Sequence, residues 1–66
     1  MRIRLNGKEV VLPDGATVDD LVRHYGLDGE PVAIERNGQI VDREAFAGEV
    51  LAEGDVIEMA RFVGGG

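Results

Sequence analysis

The sequence predicts a small α+β domain in which a single helix covers one face of a β-sheet. Three observations carry that reading. Asn-Gly pairs separate two β-like runs at Asn6-Gly7 and again at Asn37-Gly38. One apolar stripe of helical period passes through Val18, Leu21, Val22 and Tyr25. A closing run from Val56 to Phe62 places Ile57 and Met59 in alternation with Glu58 and Ala60.

The first hairpin follows from its turn. Asn-Gly favours the two-residue type I′ turn, which sets Leu5 opposite Lys8, Arg4 opposite Glu9 and Ile3 opposite Val10. Ile3, Leu5 and Val10 then share a face with Met1 and Leu12, while Arg4 and Glu9 can pair on the other. Pro13-Asp14-Gly15 turns the chain.

Thr17 stands where an N-cap belongs, with Asp20 three residues on as the partner in a capping box. The helix is expected from Val18 to Tyr25, with Asp19 and Asp20 in its first turn and Arg23 and His24 in its last. Each sign matches the helix dipole. Gly26 is the expected left-handed stop, and Leu27 can fold back onto the last turn.

After Asp28-Gly29-Glu30-Pro31 a second hairpin is expected, Val32 to Arg36 and Gln39 to Asp42 around Asn37-Gly38. Its register puts Val32, Ile34 and Val41 on one face and Glu35 and Ile40 on the other. Arg43 to Ala47 reads as a short helical turn, and Glu53-Gly54-Asp55 turns the chain into the last strand. Two hairpins, one helix and a final strand fit the β-grasp, or ubiquitin-like, fold. That fold implies a mixed sheet of about five strands with the first and last strands parallel at its centre. The expected domain spans residues 1–63, and residues 64–66 form a flexible glycine tail.

Composition narrows the function. At 66 residues the chain holds one domain, and with no cysteine and one histidine it has neither disulfides nor a metal to reinforce a marginal core. A net charge of −6 argues against a nucleic-acid partner. No run is long enough to span a bilayer. The opening Met1-Arg2-Ile3-Arg4-Leu5 alternates like a strand rather than reading as a targeting segment, so the expected location is cytoplasmic. The acidic residues are scattered, and their plain reading is solubility.

A side-chain active site cannot be assembled. There is no serine or cysteine, and Thr17, the one threonine, is used as a cap. Asp20 and His24 have i, i+4 spacing, but one carboxylate and one imidazole are too few to hold a metal. Asp19-Asp20 and the neighbouring Asp42 and Glu44 read as solvated charges, and Lys8 as an exposed turn residue. No metal and no bound cofactor are expected.

What remains is Gly64-Gly65-Gly66. Glycine adds nothing to a core and much entropy to order, so such an end is normally an inert linker. Here the glycines close the chain directly after the last strand of a β-grasp domain. Without Cβ atoms they can thread a channel too narrow for any side chain. A terminal carboxylate with a pKa near roughly 3.5 is an anion at neutral pH and a poor electrophile. A partner must first convert it to a mixed anhydride, after which a sulfur nucleophile can leave a thiocarboxylate.

These residues resemble a known family, the thiamine-biosynthesis sulfur carrier proteins. The resemblance covers nearly the whole chain. It lies in Leu5-Asn6-Gly7-Lys8-Glu9, Glu35-Arg36-Asn37-Gly38 with Ile40-Val41, Arg43-Glu44, Gly54-Asp55-Val56-Ile57-Glu58 and, most specifically, Phe62-Val63-Gly64-Gly65-Gly66. It implies that the chain is not an enzyme but a protein co-substrate. An adenylating enzyme of the ubiquitin-activating type would use ATP to adenylate the Gly66 carboxylate. A persulfide carrying sulfur from cysteine would turn it into a thiocarboxylate, and thiazole synthase would take that sulfur into the thiazole ring. Gly66 matches the family's terminal glycine and Gly65 its neighbour. Three glycines stand where some relatives have two, which leaves Gly64 as either spacer or recognition element.

Partner-binding residues are then Gly65, Gly64, Val63 and Phe62. For Phe62 two readings stand, an apolar contact for partners or a residue closing the core. Other functions sharing the fold are the small subunit of molybdopterin synthase, a protein modifier joined to lysines, and an interaction domain with an inert tail. Molybdopterin-synthase chains are usually longer, with proline before the glycines, where this chain has Arg61-Phe62-Val63.

Overall fold

Both Asn-Gly pairs form the expected left-handed turns, Asn6 at φ 51° with Gly7 at 83° and Asn37 at φ 51° with Gly38 at 84°. The computed structural model describes residues 1–62; Val63, Gly64, Gly65 and Gly66 lie outside the described residues. The elements are β1 (Arg2–Leu5), β2 (Lys8–Val11), α1 (Val18–His24), β3 (Val32–Arg36), β4 (Gln39–Val41), a 3-10 turn (Arg43–Gly48) and β5 (Val56–Arg61). Among the described residues, five strands form one sheet in the order β2-β1-β5-β3-β4. The first and last strands are the parallel central pair, with Arg4 beside Val56 and Leu5 beside Ile57. This is the β-grasp arrangement.

Register in both hairpins is as the turns dictate. Ile3 faces Val10 and Leu5 faces Lys8 in the first, and Ile34 faces Val41 and Glu35 faces Ile40 in the second. The side chains of Arg4 and Glu9 do not pair, although their backbones do. Arg4 Nη2 instead donates to the Gly7 carbonyl at 3.0 Å, a nearer acceptor that the turn itself supplies.

Helix α1 starts on a complete capping box. The Asp20 N–H donates to Thr17 Oγ1 at 3.1 Å, and the Thr17 N–H donates to Asp20 Oδ2 at 2.9 Å. It ends in a Schellman motif: Gly26 sits at φ 69°, its N–H donates to the Arg23 carbonyl and that of Leu27 to the Val22 carbonyl. The helix is therefore one residue shorter than expected, with Tyr25 as its C-cap. Val18, Leu21 and Val22 are buried as the stripe requires. Tyr25 is 44% exposed and packs edge-on against His24, because the helix stops before that residue can turn inward.

The core lies between α1 and the inner face of the sheet. Ile3, Leu21, Ile34 and Ile57 are at most 1% exposed, and Phe46 and Leu51 close the side that the sequence left unassigned. Phe46 comes from the 3-10 turn. Leu51 is placed by backbone bonds from Val18 N–H to Glu49 O and from Leu51 N–H to Ala16 O, which tie the entry of α1 to the segment after the turn.

The turn asparagines do more than adopt positive φ. Asn6 uses its side-chain amide as a strand segment: Nδ2 donates to the Met59 carbonyl at 3.0 Å, and Oδ1 accepts from the Met59 N–H at 2.8 Å. This pairing extends the hold of β1 on β5 beyond the backbone ladder. Asn6→Gly keeps the turn conformation and removes both bonds, so a loss of about 1–2 kcal/mol is expected. A urea midpoint equal to wild type would show that water replaces the amide at no cost.

Candidate functional site

The strand that precedes the glycines in sequence is β5, the central strand, and it is fixed by contacts at both of its ends. At the start of β5, Asp55 is buried at 6% exposure and fully engaged. Its Oδ2 accepts from Arg36 Nε at 2.9 Å and from the Ala52 N–H at 2.8 Å, and its Oδ1 accepts from Asn37 Nδ2 at 3.0 Å. Asn37 Oδ1 in turn accepts from the Val56 N–H, and Arg36 Nη1 reaches Glu49 at 3.0 Å. A buried carboxylate with this many donors is the junction between the second hairpin, the 3-10 region and β5.

The electrostatics of that junction have a definite sign. Burial alone would raise the Asp55 pKa and is the largest single influence. The hydrogen bonds from Asn37, the Ala52 N–H and Arg36 together outweigh it and hold the carboxyl below its ordinary range. Arg36 is pushed up, first by its bond to Glu49 and then by Asp55, against the opposing effect of burial. Asp20 is also lowered, chiefly by the Thr17 N–H and then by Arg23. A carboxyl depressed in the folded state gives stability that is present above its unfolded pKa of about 3.9 and disappears as pH falls through the folded value. The domain is therefore expected to be insensitive to pH from neutrality down to about pH 5 and to lose stability in stronger acid. Asp55→Asn should flatten that acid limb while lowering stability at neutral pH. An acid limb identical to wild type would remove Asp55 from the account.

At the other end of β5, the Phe62 N–H donates to the Pro31 carbonyl at 2.8 Å, and Arg61 lies 4.0 Å from Glu30. These contacts continue the β3 ladder to the last described residue. Phe62 itself is 60% exposed and projects, like Val56, Glu58 and Ala60, from the face turned away from the helix. Its two sequence readings are thereby separated: it is a surface residue, not a core residue. Gly66, Gly65, Gly64 and Val63, the other expected site residues, lie outside the described residues.

Other candidate chemistry is accounted for by local structure. Asp20 is occupied by the cap and by Arg23 at 2.9 Å, and Asp19 by Arg23 at 3.3 Å. No group of three or more metal-binding side chains occurs among the described residues. No helix among them is long and apolar enough to cross a membrane. The Asp55 junction escaped the sequence reading. The signal was an aspartate directly after Glu53-Gly54, and it reads as a turn residue until Arg36 and Asn37 are seen beside it.

Comparison with known proteins agrees with this geometry. The model of the ThiS family matches residues 2–66. The chain is 42% identical over 65 residues to the sulfur carrier protein ThiS of Bacillus subtilis, covering 97% of this chain and 98% of that one. It is 41% identical over its full length to part of the thiazole synthase of Magnetococcus marinus, where the match spans 20% of the larger protein. A crystal structure of the thiamine biosynthesis protein ThiS from Geobacter metallireducens superposes with a TM-score of 0.83 at 32% identity, covering all of both chains. A β-grasp sheet with β5 at its centre and full-length matches of this kind lead to one conclusion: the chain belongs to the ThiS family.

Proposed function

We propose that the chain carries sulfur for thiazole formation in thiamine biosynthesis, as a thiocarboxylate on Gly66. What supports the reading is the sequence Gly64-Gly65-Gly66 following the central strand of this fold, in a chain that matches a sulfur carrier over 97% of its length. The match of the whole chain to a fifth of two thiazole synthases supports thiazole synthase as the acceptor.

The chemistry is set by the carboxylate. An adenylating enzyme of the ubiquitin-activating type directs a Gly66 oxygen onto the α-phosphorus of ATP. An O–P bond forms, the bond to the β-phosphate oxygen breaks, and pyrophosphate leaves. The carbonyl carbon is now electrophilic, because AMP is a good leaving group. The outer sulfur of a persulfide attacks it and AMP departs, leaving an acyl disulfide. A thiol then attacks the donor's sulfur, so that a disulfide forms on the donor side and Gly66 retains the thiocarboxylate.

In this reading the body of the domain does no chemistry. It presents the tail and is recognised, while the glycines pass where a side chain would not. The test is ATP–pyrophosphate exchange by the adenylating enzyme of the same host. Exchange should require the chain with its terminal glycine, and exchange that proceeds unchanged without the chain would remove the proposal.

A further inference from the structure

On the outer face of the sheet, Glu35 of β3 lies directly opposite Glu58 of β5. Like charges in cross-strand register oppose folding, and sheets normally place a cation there. Here no lysine or arginine nitrogen among the described residues lies within 4.0 Å of either carboxylate. Arg4, on the outer face of β1, is turned to the Gly7 carbonyl.

The surroundings are mostly apolar. A shallow concavity is lined by both glutamates together with Asn6, Ala33, Ile40, Met59 and Ala60. Ile40 is 68% exposed and Val56 44%, and both share this face with Phe62. Two uncompensated carboxylates are thus set in an exposed apolar patch. A cation entering between them would gain from both charges, and apolar contacts around it would exclude water and strengthen the attraction.

The occupant follows from the reach of the tail. Four residues separate Phe62 from the end of the chain, and fully extended they span at most about 14 Å. An enzyme reacting at Gly66 therefore docks within that reach of Phe62, whose exposed side chain shares the outer face of the sheet with Ala60 and Glu58. The match of this chain to a fifth of two thiazole synthases favours that enzyme as the occupant. We infer that the Glu35–Glu58 pair is the receptor for an arginine that thiazole synthase presents from an apolar surface, and that this contact sets the docked position of the carrier. The planar guanidinium suits two facing carboxylates better than an ammonium does. This inference rests on the proposed function and adds to it a named contact.

The pair makes opposite demands on the free and bound states, and that opposition is the test. Glu58→Gln, Glu35→Gln and the double variant are compared with wild type for thermal midpoint. Affinity for intact thiazole synthase is measured by titration calorimetry at low and high salt, and binding to the adenylating enzyme is measured alongside. Each single variant should raise the midpoint of the free domain by about 1–4 °C, since it relieves repulsion. Each should also weaken binding to thiazole synthase by about tenfold or more and reduce its salt dependence.

Binding of the single variants within twofold of wild type would overturn the inference, as would weakening confined to the adenylating enzyme. A lowered midpoint would overturn it too, by showing that the carboxylates are stabilising. Failure of the wild-type chain to bind thiazole synthase at all would remove the partner from the proposed function and this contact with it. Failure of the variants alone to respond removes only the contact.

Discussion

Leu21→Ala is expected to destabilise the domain by about 2–5 kcal/mol, the cost of emptying a fully buried leucine site. Leu21 is completely buried at the centre of α1, between Val18 and Val22 of the same stripe, and faces the inner side of the sheet. Truncation leaves a cavity that neighbouring β-branched residues fill poorly, because Val18, Val22, Ile34 and Ile57 each have little rotamer freedom. A chain of 66 residues has roughly 3–10 kcal/mol of stability in all, so the loss is a large share of the margin. The check is a urea midpoint at neutral pH. A midpoint close to wild type would mean that the helix does not bear on the sheet through this residue.

Deletion of Gly66 is expected to abolish sulfur carriage and leave the fold unchanged. Among the described residues the core ends with Ile57 and Met59, and hydrogen bonds already hold β5 as far as Phe62, so the described fold is expected to stand without the last glycine. In the proposed function its carboxylate is nonetheless the group to be activated. Shortening the tail by one residue withdraws that carboxylate by roughly 3.5 Å, more than the tolerance of a near-attack geometry. Circular dichroism, thermal midpoint and thiocarboxylate formation are measured on the same sample. Unfolding would give the tail a structural role, and continued transfer of sulfur would place the reactive group elsewhere.

Much of the fold is legible in the sequence because its local signals agree with one another. Each Asn-Gly pair admits one tight turn, and each turn fixes the register of the strands around it. Ile3, Leu5, Ile34 and Val41 are then assigned to the core before any tertiary contact is known. Thr17 with Asp20, and Gly26 with Leu27, fix the two ends of α1 to within a residue. Tyr25 departs from its expected place because the stripe continues one step past the last helical residue.

The parts that were not legible depend on contacts distant in sequence. Phe46 and Leu51 lie in a stretch without regular periodicity, so nothing local marks them as core. Asp55 reads as a turn residue. Its role as a junction needs Arg36, Asn37 and Glu49 brought together by the pairing of β3 with β5. Facing of Glu35 and Glu58 has the same origin, since the register of two strands that are not neighbours in sequence cannot be counted from a turn. The candidate site divides in the same way. The tail is visible as sequence alone, whereas the exposure of Phe62 and the apolar patch around the two glutamates appear only when β5 is placed at the centre of the sheet.

The central claim concerns a covalent change at one atom, and intact mass is the measurement closest to it. The protein is recovered from its native host during thiamine synthesis, without reducing or acidic treatment, and weighed whole. A fraction heavier by the exchange of one oxygen for one sulfur, with the change confined to the C-terminal peptide, is the expected result. Recovery only as the unmodified carboxylate, or as a conjugate joined to lysines of other proteins, would contradict the account.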